Sequence, residues 1–134
     1  MTILLDTSIL IDIERNHQPT VIKITELSKE HPLPPKISFI TDFEYRIGLQ
    51  RKTIPNRQAA LNFLQNFILI LPTKYTSQLL ANLKYKYEQK GIILSLSDLL
   101  IASLAIENNL LLVTKDKDFT ALEELKKVII GGSQ

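Results

Sequence analysis

The stretch from Leu94 to Phe119, LSLSDLLIASLAIENNLLLVTKDKDF, constrains the fold most. Ser95 to Ser97 form a helix start signal, and Asp98 places an acid in the first turn. Leu99, Leu100, Ile101, Ala102, Leu104, Ala105 and Ile106 leave no polar face wide enough for a surface helix, so this helix is expected to be buried. Glu107, Asn108 and Asn109 stop it. Leu110 to Val113 then read as a strand without polar alternation, the pattern of a central parallel strand covered on both sides. Thr114, Asp116 and Asp118 follow at once, which puts acids at the rim of a sheet.

The remainder repeats the alternation. Thr2 to Leu5 reads as a buried strand ended by Asp6, with Thr7 or Ser8 capping a helix through Ile9, Leu10, Ile11 and Ile13 that stops near Asn16. Pro19 suits the first turn of a second helix, with Val21, Ile22, Ile24 and Leu27 as its apolar stripe. Ile37 to Ile40 reads as a strand, and Thr41 opens a helix carrying Phe43, Glu44, Ile47 and Leu49. A helix is expected over Asn56 to Phe67, a strand over Ile68 to Leu71, and an amphipathic helix from Thr76 to Gln89 with Gly91 as its stop. A short helix from Phe119 to Leu125 and a closing strand from Val128 to Ile130 complete the pattern. Strands alternating with helices predict an α/β fold, a mainly parallel sheet with helices on both faces, and 134 residues suffice for one domain, 1-134.

Several chemistries are excluded. With no cysteine, the chain forms no disulfide and no thiolate zinc site, which suits a reducing, cytoplasmic setting. The apolar start meets Asp6 too early for a signal peptide or a membrane span, so no membrane association is expected. There is no GxxxxGK[ST] phosphate loop. His17 and His31 lie in polar or Pro-rich loops without a matching partner and read as surface residues. The formal net charge of +2 says little by itself, but gathering several acids into one pocket would leave a mildly basic surface around an acidic hole, as suits a nuclease.

Asp6, Glu44 and Asp116 each lie just past a strand end, and Asp98 opens the helix that leads into the strand at Leu110. In open α/β sheets ligands bind at the carboxyl ends of strands, where the chain order reverses. Each acid also has a capping explanation: Asp6 as an N-cap, Thr41 with Glu44 and Ser95 with Asp98 at capping-box spacing, and Asp116 and Asp118 at the start of the last helix. Convergence of all four favours a cation, because clustered carboxylates repel without one. An all-oxygen site suits Mg²⁺ or Mn²⁺, which polarise a phosphoryl oxygen and activate water. Arg46, Arg51 and Lys52, on or just after the helix of Glu44, are candidate RNA phosphate contacts.

LeuLeuAspThrSerIleLeuIleAsp at 4 to 12, Glu44 followed by Gly48, AspLeuLeuIleAlaSerLeuAla at 98 to 105 and LeuValThrLysAspLysAspPhe at 112 to 119 resemble the successive motifs of the PIN-domain nucleases, and within them the VapC toxins of type II toxin–antitoxin pairs. The resemblance implies a three-layer α/β/α fold and a metal-dependent endoribonuclease in which Asp6, Glu44, Asp98 and Asp116 form the acidic quartet that binds metal. It implies supporting roles for Ser8 and Thr114, and a share for Asp118 in the work of Asp116. It further implies RNA as substrate, a homodimer, and a small antitoxin that blocks the site. A haloacid dehalogenase-type phosphatase would need Asp where this chain has Ser8. The alternative to catalysis is an RNA- or protein-binding module with a PIN fold.

Overall fold

The computed structural model of the chain describes residues 1–131. Five parallel strands form one sheet: β1 (Ile3–Leu5), β2 (Lys36–Ser38), β3 (Ile68–Ile70), β4 (Leu111–Thr114) and β5 (Lys127–Ile129), in the order β3-β2-β1-β4-β5. Helices α1 (Thr7–Glu14), α2 (Gln18–Glu30), α3 (Phe39–Leu49) and α4 (Ile54–Leu64) supply one face, and α5 (Thr76–Gln89) and α6 (Leu96–Glu107) the other. This is the expected three-layer α/β/α arrangement.

Side-chain alternation in the central strands builds the two cores. Ile3, Leu5, Leu111 and Val113 pack with Ile9 and Leu10 of α1, Tyr45 of α3 and Leu64 of α4. Leu4 and Leu112 point the other way, into Tyr87 of α5 and Leu99, Ile101, Ala102 and Ala105 of α6. Strands β1 and β4 are fully buried, which is why they carry no polar alternation. The chain leaves β1 toward β2 and β3, then returns to β1's other side with β4, so the order reverses between β1 and β4. That switch is where a ligand crevice opens in such a sheet.

Local signals account for most boundaries. Helices α1 and α6 end where Asn16 and Asn109 adopt left-handed φ of 56° and 54°, a conformation Asn tolerates better than most residues. Gly91 stops α5 at φ 75°. Elsewhere the expectation shifts. Strand β2 ends at Ser38, two residues before the predicted end, because the Ser38 hydroxyl accepts the Thr41 N–H at 3.1 Å and starts α3 at Phe39. Of the three cap candidates for α1, Asp6, Thr7 and Ser8, the cap is Asp6. Helix α4 starts earlier than expected, with Pro55 in its first turn, and ends at Leu64. The last helix is a 3-10 turn over Lys117–Ala121, and Ile22 of the predicted stripe is exposed. No helix among the described residues is long and apolar enough to cross a membrane.

Candidate active site

Asp6 leaves β1 at the switch point, where its N–H donates to Val113 O at 3.0 Å and extends the ladder with β4 by one residue. Both of its carboxylate oxygens are held. Oδ1 accepts the Thr7 N–H at 2.9 Å, and Oδ2 accepts the Thr114 hydroxyl at 2.6 Å. Burial raises the Asp6 carboxyl above its ordinary range; the bonds from Thr114 and Thr7 oppose this, and the charges of Glu44 and Asp116 add to it.

Thr114 organises the end of β4. While donating to Asp6, its Oγ1 accepts the Asp116 N–H at 3.0 Å, and its carbonyl accepts the Ile130 N–H at 2.8 Å. Asp116 in turn accepts the Asp118 N–H on Oδ1 at 2.9 Å and so caps the 3-10 turn. Asp98 arrives from the start of α6, where Ser95 Oγ accepts its N–H at 3.1 Å. Oxygens of Asp98, Asp116 and Asp118 lie within 4.8 Å of one another. Asp98 is pushed up to about 6, first by burial and then by the charge of Asp116, with smaller contributions from Asp6 and Asp118 against an opposing bond from Ser95.

Glu44 stands on the second turn of α3, beside Asp6 electrostatically but outside the close trio. Its Oε1 accepts the Thr7 hydroxyl at 2.5 Å, and Thr7 Oγ1 also lies 3.2 Å from Thr41 Oγ1. The predicted quartet therefore converges on one edge, with Asp118 drawn into it. Capping and clustering coexist here: Asp6 and Asp116 do cap helices, whereas Asp98 leaves that role to Ser95 and Glu44 belongs to no capping box.

None of these five carboxylates pairs with a Lys or Arg among the described residues. Five acids, oxygen donors only, three of them close enough to share one ion, fit a hard divalent cation. Ser8, expected to assist, has a buried Oγ that meets no hydrogen-bond partner among the described residues. Of the candidate RNA contacts, Arg46 is held by Asp42 at 2.9 Å, Arg51 is exposed, and Lys52 shares a cleft of about 100 Å³ with Glu44 and Arg15. The sequence marks Thr7 only as a cap candidate and does not indicate its bond to Glu44. The only hint of it in the sequence is a hydroxyl next to a strand-terminating acid.

A model of the PIN domain matches residues 3–125. Ribonuclease VapC2 of Rickettsia felis is 28% identical over 127 residues, covering 93% of this chain and 95% of the relative. The crystal structure of VapBC2 from Rickettsia felis, bound to a DNA fragment from the promoter, superposes with a TM-score of 0.82 at 28% identity, covering 96% of this chain and 98% of that one. VapBC-1 from nontypeable Haemophilus influenzae gives a TM-score of 0.82 at 23% identity over 96% of this chain and 98% of that one, a likeness of fold. Matched over nearly its whole length, with the acids at the β1/β4 switch point, the chain belongs to the PIN domain family.

Proposed function

We propose that this chain is a divalent-metal-dependent endoribonuclease and the toxin of a toxin–antitoxin pair, acting as a homodimer and held in check by a small antitoxin. The observation that carries the reading is the gathering of Asp98, Asp116 and Asp118 within 4.8 Å beside Asp6 and Glu44, with no Lys or Arg among the described residues paired to any of them. A relative named a ribonuclease and structural neighbours solved as VapBC and toxin–antitoxin complexes support it.

Asp6, Asp98 and Asp116 would hold Mg²⁺ or Mn²⁺, with Asp118 and Glu44 completing the shell. Bound there, the ion would supply Lewis-acid stabilisation of the scissile phosphate and an acidified water. The chain's own residues set the geometry. Thr114 fixes Asp6 Oδ2 and the Asp116 backbone with a single hydroxyl. Thr7 fixes Glu44 Oε1. Lys52 and Arg15 line the same cleft as Glu44 and Glu14 and offer an RNA backbone two cations there, a better placement than that of Arg46, whose charge Asp42 already meets.

The test is incubation of purified protein with mixed RNA, with and without Mn²⁺, alongside Asp98→Asn. Internal cleavage that requires both the metal and Asp98 is expected. Intact RNA after treatment with folded protein at millimolar Mn²⁺ would overturn the reading in favour of a binding module.

A further inference from the structure

Lys115 sits between the two residues that build the end of β4, yet its charge is directed away from the acids. Its Nζ donates to Asp12 Oδ2 at 2.8 Å, and the same oxygen accepts the hydroxyl of Thr20 at 2.6 Å. Thr20 is buried in α2, Asp12 is the last acid but one on α1, and its side chain is 14% exposed. Three segments thus meet at one carboxylate: α1, whose first residue follows Asp6; α2; and the segment carrying Thr114, Asp116 and Asp118.

We infer that the Asp12–Lys115 pair positions the Thr114–Asp118 segment against α1, and so sets the spacing between Asp6 and the Asp116 and Asp118 carboxylates that a cation needs. Asp12 and Lys115 are positioning residues. Neither belongs to the acidic cluster, and they act through the backbone on both sides of Lys115. The neighbouring bonds make the transmission direct. Thr114 Oγ1 reaches Asp6 on one side of Lys115, and on the other the Asp116 N–H returns to Thr114 Oγ1 and the Asp118 N–H to Asp116 Oδ1. A segment with one end pinned by this short network and its middle released from α1 can rotate its carboxylates without unfolding the sheet. Held groups next to metal ligands typically govern affinity by roughly ten- to a hundredfold.

The inference rests on the metal-dependent reading above, and the sign of two substitutions separates positioning from simple electrostatics. Asp12→Asn removes a negative charge near the acidic pocket, so its long-range field alone would weaken cation binding. Lys115→Met removes a positive charge, so the field alone would strengthen it. Positioning weakens binding in both. Calorimetric titration of the full chain with Mn²⁺ is the measurement, and thermal unfolding of each variant verifies that it is folded at the titration temperature. We expect roughly tenfold weaker Mn²⁺ binding in Asp12→Asn and in Lys115→Met, with the double variant no weaker than either single one. Opposite changes in the two variants, or unchanged affinity with only a lower melting temperature, would overturn the inference while leaving the metal site standing. Absence of Mn²⁺ binding by the parental chain would overturn both.

Discussion

Thr114 and Asp6 are 108 residues apart in sequence and joined by a 2.6 Å hydrogen bond, Thr114 Oγ1 to Asp6 Oδ2, at the point where the strand order reverses. Both residues are buried, so water is a poor replacement for this bond. Thr114→Val keeps the shape and removes the hydroxyl. It leaves a buried carboxylate oxygen without its donor and the Asp116 N–H without its acceptor. A bond to a charged group contributes about 1.5–3 kcal/mol, and urea unfolding of the metal-free protein should show a loss in that range. A stability equal to the parental chain's would mean that the bond is dispensable.

Thr7 makes a different kind of contact. Its hydroxyl meets Glu44 near the surface of the site, so Thr7→Val should cost little stability and act on the orientation of Glu44. Cleavage of RNA should fall about tenfold at saturating Mn²⁺, consistent with the sensitivity of catalysis to small misplacements of its groups. Thr7→Ser, which keeps the donor, should retain most of the rate. Equal rates for all three proteins would remove Thr7 from the site.

Away from the site, Glu124 gives the fold a pH dependence of known sign. Burial would raise its carboxyl, but bonds from Lys86 at 2.7 Å and the Tyr87 hydroxyl at 2.6 Å outweigh it and hold the group down at about 2. A folded-state value below the ordinary 4.5 means that the network stabilises the fold above pH 4.5 and loses that contribution as pH falls toward 2. The pair is open to solvent, with the Glu124 side chain 33% exposed, so screening keeps the contribution small. In Glu124→Gln, stability measured by urea titration should be lower at pH 7 and depend less steeply on pH between 4.5 and 2. A parallel pH profile would show that Lys86 and Tyr87 contribute nothing through this carboxylate.

The parts of the fold legible in the sequence were those where one local signal dominated. The apolar runs at Leu4 and Leu112 and the uniformly apolar α6 could only be buried, and Gly91, Asn16 and Asn109 marked helix ends that the backbone then realised with positive φ. Boundaries failed where two signals competed. Phe39 and Ile40 continue an apolar run that reads as strand, yet Ser38 caps the helix first. At the site, Asp98 and Asp116 were legible because each sits at the end of an element, α6 or β4, that could only be buried. The part of Asp118 depended on the shape of a 3-10 turn, which spacing does not specify. Thr7 and the Asp12–Lys115 pair were illegible because their partners lie on other elements, 37 and 103 residues away.

The acids themselves allow a test that distinguishes ligand from cap. Asn caps a helix about as well as Asp, so if Asp98 or Asp116 served only structure, replacement by Asn would be silent in every assay. In a metal site the same change removes a negative ligand and relieves repulsion among groups within 4.8 Å. Burial and the charge of Asp116 hold Asp98 up to about 6, so keeping it ionised at neutral pH costs the metal-free fold stability, and Asp98→Asn should keep or raise the metal-free melting temperature. It should abolish the rise in melting temperature that Mn²⁺ gives the parental chain, because only the folded state gathers the ligands. RNA cleavage should fall by about a hundredfold or more, the loss that follows removal of a contact of a few kcal/mol in the transition state. Asp116→Asn and Asp118→Asn should each lose less than the double variant, since the two carboxylates lie close enough to share one ion and Asp118 is the more exposed. Folded Asp98→Asn protein that cleaves RNA at the parental rate would remove the acid from the site and leave it a surface charge at the start of α6.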